Sequence, residues 1–294
     1  LHLSIRRQRQ MCIRDSFGLA PLFTLLLLGL GYSSFEVLSY RWGVASLFLG
    51  ALALLAGRSF RLSWPELRTV FFLSLFRAAT SLSLVIAYQH IASGVASTIH
   101  FMYPLAVALA MMCFFREKGS VWVFAAIGMS IVGAVLLSLG NVDFTRGNTT
   151  LGMVSAAVSV VSYGGYIVGV RKSRAVGIDS TVLTCYVMGL GALYFIAGGL
   201  VTGGIRIETD GTAWLCILGV ALPATAVSNM TLVQAIKRIG PTLTSVFGAL
   251  EPLTAVVIGV AVFGEPFTVQ GAAGILLIVA AVTIVILHSG RRKA

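Results

Sequence analysis

Residues 78–115 read AATSLSLVIAYQHIASGVASTIHFMYPLAVALAMMCFF, without one Asp, Glu, Lys or Arg. A helix crosses a hydrocarbon core about 30 Å thick in about 20 apolar residues, so this run is too long for one crossing. The small polar patch His90-Ile91-Ala92-Ser93-Gly94 divides it between two spans. Nothing in it alternates with period two, which excludes a barrel strand. Lipid offers backbone amides no partner, so helices remain.

The same reading, carried outward between charges, predicts ten spans near 17–32, 35–57, 67–89, 93–115, 120–140, 149–170, 180–203, 212–236, 240–263 and 267–288. Composition agrees. Of 294 residues, 57% are hydrophobic and 11% charged, where soluble domains carry about 25% charge, and the mean hydropathy is +0.95. A water-soluble fold of this length could not hide so much apolar surface. The chain reads as an all-α integral membrane protein, not a disordered chain or a secreted disulfide scaffold.

The net charge of +11 could suggest a nucleic-acid partner. With a cytoplasmic N-terminus the inner side receives Arg58, Arg61, Arg68, Arg116, Lys118, Arg171, Lys172, Arg174, Lys237, Arg238, Arg291, Arg292 and Lys293, and the outer side only Arg146 and Arg206. That bias is the positive-inside pattern. It predicts a multi-pass protein of the bacterial cytoplasmic (inner) membrane with both termini cytoplasmic, and no nucleic acid as partner.

The spans repeat. Pro104 and Pro252 stand 148 apart; at that offset Leu105 meets Leu253, Phe115 meets Phe263, Glu117 meets Glu265, Ile91 meets Ile239 and Ala87 meets Ala235. Each half holds five helices, an odd number, so the second half enters the membrane inverted. Inverted repeats around a midplane site are a hallmark of secondary transporters.

The repeat singles out the N-terminus. Tyr163-Gly164 of the sixth span matches Phe17-Gly18, but at an offset of 146. Residues 1–16 carry four Arg and one Asp and are unfit for lipid. The tract resembles an adapter-derived peptide ending Cys12-Ile13-Arg14-Asp15-Ser16, and the expectation is that 1–16 is non-native and replaces half of the first helix. Without it the net charge falls from +11 to +8. The expected domains are 17–140 as the first repeat and 149–290 as the second.

Several short motifs fall in a familiar order. They are Phe17-Gly18, Tyr40-Arg41, Tyr103-Pro104 with Phe115-Arg116-Glu117-Lys118, and Glu251-Pro252 with Phe263-Gly264-Glu265-Pro266. Together they resemble the EamA-like branch of the drug/metabolite transporter superfamily over 17–290, although Arg116 stands where the second half has Gly. The resemblance implies ten helices in two inverted fives and a transporter of a small organic solute, commonly an exporter of amino acids or other metabolites.

Charges at the bilayer midplane are costly and mark function. Arg77 and Glu251 both count to mid-depth and are expected either to pair or to divide the work, with Glu251 exchanging a proton while Arg77 holds an anionic group of the substrate. His100 and Tyr103 share a helix face at i, i+3, and their repeat mates are Gly248 and Glu251. Thr225 and Asn229, mates of Arg77 and Ser81, offer neutral hydrogen bonds; Tyr163 and Tyr166 offer rings for stacking. These residues are the candidate substrate-cavity and coupling set. Arg41 is expected to snorkel to the interface, with Glu36 a poorly spaced partner. Pro104 and Pro252 interrupt helices symmetrically and are candidate hinges. Partners are then a small-molecule substrate, membrane lipid, and protons or an exchanged solute. The cysteines, Cys12, Cys113, Cys185 and Cys216, have no metal or disulfide spacing, and no phosphate-binding loop is present, so no cofactor is expected. The alternative is an intramembrane enzyme such as a lipid or isoprenoid transferase.

Overall fold

The computed structural model describes residues 19–91, 93–117, 119–138, 147–208, 210–248 and 269–291. All regular structure among them is helical: α1 Leu19–Gly29, α2 Ser34–Leu55, α3 Trp64–His90, α4 Ser93–His100, α5 Tyr103–Phe115, α6 Val121–Ser138, α7 Thr149–Lys172, α8 Ser180–Thr202, α9 Gly211–Ala221, α10 Ser228–Ile239, α11 Pro241–Phe247 and α12 Val269–Arg291. A π turn, Leu222–Val227, joins α9 to α10. Among the described residues six stretches are long and apolar enough to cross a membrane, including Val95–Phe115 and Gly211–Ile239; Val121–Gly133 and Val269–Ala281 are shorter apolar helices. Large apolar side chains such as Leu47, Leu54, Val161, Leu193 and Leu200 stand exposed along these helices, as lipid-facing surface requires and a soluble surface does not. The chain is a multi-pass membrane protein. The tract 1–16 and Phe17-Gly18 lie outside the described residues, as do Glu251, Pro252 and most of the ninth span.

Capping residues set the helix starts. Ser33 and Glu36 form a reciprocal capping box on α2, Asn148 caps α7, Asp179 caps α8 and Asp210 caps α9, each satisfying backbone N–H groups that have no intrahelical partner. The starts repeat. Ser34 and Ser180 are 146 apart and Trp64 and Gly211 are 147, while the sequence matches from Ala87 with Ala235 onward stand 148 apart. The drifting offset explains why Phe17-Gly18 aligned two residues off the later register. The last residue gained is taken up by the π turn, which holds one residue more than an α turn. Pro223, the second residue of that turn, has no N–H, and the hydroxyls of Thr225 and Ser228 donate to the carbonyls of Val220 and Pro223, at 2.7 and 2.9 Å.

The packing is that of two halves turned over. Repeat mates α2 and α8 pack against each other. Phe35 closes on Gly198, Trp42 on Gly191, Ser46 on Gly189 and Gly50 on Cys185, so rising numbers meet falling ones and the mates run antiparallel. Mates α6 and α12 also pack together, with Gly133 against Gly274 and Ile278. Off the axis, α3 crosses α7 with Phe76 on Gly165 and Leu73 on Gly169, and the mate pair α1 and α9 brings Phe23 onto Gly219. Partner numbers total 241 for Phe76 and Gly165 and 242 for Phe23 and Gly219, so the two crossings share a register within one residue.

Matched contacts close the two ends. At one, Tyr40 Oη donates to Arg206 O, and Arg206 pairs with Glu36 at 3.2 Å. At the other, 146 residues removed, Tyr186 Oη donates to Phe60 O, and Arg58 pairs with Asp179 at 3.7 Å.

Candidate functional site

A polar side chain in the middle of a buried helix persists where another helix satisfies it. Arg77 stands at the midpoint of the 27-residue α3 and is 5% exposed. Its Nε donates to Asn229 Oδ1 at 2.9 Å and its Nη1 to Ser81 Oγ at 3.3 Å, one turn along. Asn229 Nδ2 donates to Thr225 O at 2.7 Å. Thr225 Oγ1 in turn accepts from Arg41 Nε at 2.6 Å. Two arginines from the first half are thus held by consecutive turns of the eighth span, and the π turn places the upper of those holders.

Aromatic faces enclose the guanidinium of Arg77. Its Cζ lies 5.1 Å from the Tyr163 centroid, 5.9 Å from Trp42 and 6.0 Å from Tyr166, within the range of cation–π attraction. Beyond it, His100 stacks on Tyr163 at 5.2 Å, and Tyr103 meets Tyr163 edge-on at 4.6 Å and His100 at 5.4 Å. His100 Nδ1 and Ser159 Oγ are 2.9 Å apart, and Ser159 donates its one proton to Ala156 O.

Arg77, Ser81, His100, Tyr103, Tyr163, Tyr166, Thr225 and Asn229 meet in this network; Glu251 lies outside the described residues, and its pairing with Arg77 with it. Pro104 is buried at the second residue of α5. The fourth span is therefore two helices broken at Phe101 and Met102, since Pro104 cannot donate back to residue 100. Pro252 lies outside the described residues.

Arg41 is a correction. It does not snorkel: it is 7% exposed and bonded to Thr225. Its Cα lies seven residues into α2, about 10 Å down the axis. Glu36 does not turn toward it but takes Arg206 and the Ser33 N–H. Sequence reading also missed Trp42, Ser159 and Pro223. The available signals were an uncompensated charge inside a span for the Arg41-Trp42 pair, i, i+4 spacing to Tyr163 for Ser159, and a proline inside an apolar run for Pro223.

The comparisons fit this architecture. The EamA-like transporter family matches twice, over residues 16–139 and 150–287. An uncharacterized transporter of Archaeoglobus fulgidus is 25% identical over 238 residues, 81% of this chain and 83% of that protein. A solved crystal structure superposes with a TM-score of 0.77 at 18% identity, over 95% of each chain, and so shares the fold. With the family's repeat present in both halves, antiparallel mates packed on one axis and a buried polar network where the halves meet, the chain belongs to the EamA-like transporter family and is a membrane transporter.

Proposed function

We propose that the protein is a secondary transporter, not an enzyme, which moves a small organic solute such as an amino acid or other metabolite outward across a bacterial cytoplasmic membrane by alternating access. The halves 17–140 and 149–290 rock about the α2–α8 axis, with both termini in the cytoplasm. The observation that carries this reading is the mid-depth network, because spans of both halves build it and matched closures stand at either end. Substrate would sit among Arg77, Tyr163, His100, Tyr103, Thr225 and Asn229, with Glu251 or an exchanged solute providing coupling. The test is solute flux in reconstituted vesicles, with and without a pH gradient. Arg77→Ala and Glu251→Gln variants that still insert are expected to lose flux. Full activity in both would defeat this assignment of the site.

The closures give a second test. By the positive-inside pattern, Tyr40 and Arg206 face outward and Tyr186 and Phe60 inward. Tyr40→Phe removes the Oη that bridges Arg206 O and Glu208 N; Tyr186→Phe removes the tie to Phe60 O. A hydrogen bond contributes about 0.5–1.5 kcal/mol, or roughly 2- to 12-fold in an equilibrium. Tyr40→Phe is expected to favour the outward-open state and Tyr186→Phe the inward-open one, read by one-sided labelling of a mid-depth cysteine with an impermeant thiol reagent. Shifts of the same sign would overturn opposed gating by these ends.

A further inference from the structure

Around Arg77 three buried side chains keep hydrogen-bond donors unused. Arg41 bonds through Nε alone; among the described residues its two Nη groups have no partner and no carboxylate lies within ion-pair distance. Trp42 is 1% exposed and its Nε1 has no partner. The benzene edge of Trp42 closes on Gly191, which turns the N–H edge away from α8. Tyr166 is fully buried and its Oη is likewise without a partner. The Trp42 and Tyr166 rings both border the guanidinium of Arg77, and Arg41 joins the same centre through Thr225 and Asn229.

A packed interior does not keep such groups idle. A buried guanidinium without a counter-ion is among the most costly states a side chain can occupy, and Trp N–H can only donate. The missing complement is an acceptor-only group with negative charge. We propose that Arg41, Trp42 and Tyr166 form an oxyanion site that takes the carboxylate or phosphate of a net-negative solute. This deepens the transporter reading and rests on it, since the ligand would be the cargo. Arg41 then supplies charge, Trp42 and Tyr166 supply directed hydrogen bonds, and the ring of Tyr163 flanks the rest of the molecule.

The test uses the full chain in lipid nanodiscs, with thermal shift and binding measured for succinate, glycerol 3-phosphate, leucine and putrescine at constant ionic strength. Succinate or glycerol 3-phosphate is expected to stabilise the folded state and putrescine not; which of the two anions binds more tightly separates a carboxylate from a phosphate site. Arg41→Gln should weaken the preferred anion at least about 30-fold, and Trp42→Phe, which keeps a ring and loses only the N–H, by about 10-fold, the range of hydrogen bonds to charged groups. Arg41→Lys should restore part of the loss. Binding of putrescine or leucine in preference to the anions, no anion binding, or unchanged anion affinity in both Arg41→Gln and Trp42→Phe overturns the oxyanion site. Flux of a neutral or cationic solute would leave the transporter reading standing without it; absence of flux for every solute would remove the transporter reading instead.

Discussion

Among the described glycines, Gly191→Ala is expected to be the most damaging substitution. An ideal Cβ at Gly191 would lie 2.1 Å from Cζ3 and 2.2 Å from Cε3 of Trp42, far inside van der Waals contact. Trp42 cannot yield easily, because it is 1% exposed and meets Phe195 edge-on at 5.1 Å. Overpacking usually costs about 1–3 kcal/mol; a rigid ring at this distance puts the cost at or above about 3. The seam it breaks is the antiparallel contact of α2 and α8, the axis proposed for the rocking of the halves, so transport should fall with stability. Gly43, the residue after Trp42, supplies the control. A Cβ there meets nothing within 4 Å, and Gly43→Ala should leave stability unchanged or raise it by up to about 1 kcal/mol through helix propensity. Trimming the ring in Gly191→Ala/Trp42→Leu should recover part of the loss as a favourable coupling. Equal melting temperatures for Gly191→Ala and Gly43→Ala would mean that the seam does not hold the ring as described.

Much of the architecture was legible because lipid simplifies the code. Uncharged runs such as 78–115 locate helices with almost no reference to tertiary structure. The repeat was legible through Pro104 and Pro252, yet its register was not, since residues inserted between halves leave no mark on hydropathy. The π turn at Leu222–Val227 absorbs one of them without changing the apolar character of the span. Of the site, Arg77, His100, Tyr103, Tyr163 and Tyr166 lie together, while Glu251 lies outside the described residues. Arg41 was misread because sequence gives depth but not rotation. Depth alone permits snorkelling, and only the position of Thr225 on a neighbouring span decides that the side chain turns inward. Trp42 was missed for the related reason that an apolar residue in an apolar helix carries no signal until its N–H is seen to lack an acceptor.

Asn229→Leu separates a structural hydrogen bond from the charge network that surrounds it. Leucine keeps a similar volume, but Arg77 Nε loses its acceptor and the carbonyl of Thr225 loses the Nδ2 donor. Neutral interhelical bonds in membranes average only about 0.6 kcal/mol, so a loss of that size would read as ordinary helix glue. Here the donor is a guanidinium in a fully buried setting, and hydrogen bonds to charged groups are worth about 1.5–3 kcal/mol. The expected destabilisation is therefore about 2–3 kcal/mol, with transport lost in the fraction that remains folded because Arg77 and Arg41 no longer share a scaffold. Thr184→Val is the comparison. That buried hydroxyl donates within its own helix to Ser180 O at 2.7 Å, and its removal should cost about 0.6 kcal/mol or less and spare transport. Asn229→Asp keeps the acceptor for Arg77 and places a carboxylate on that guanidinium, one turn from the Thr225 that holds Arg41; it should preserve folding while occupying charge that an anionic solute would otherwise neutralise. The diagnostic pattern is stability restored with transport still absent. Transport intact in Asn229→Asp would mean that the positive field of Arg41 and Arg77 is not what the solute reads.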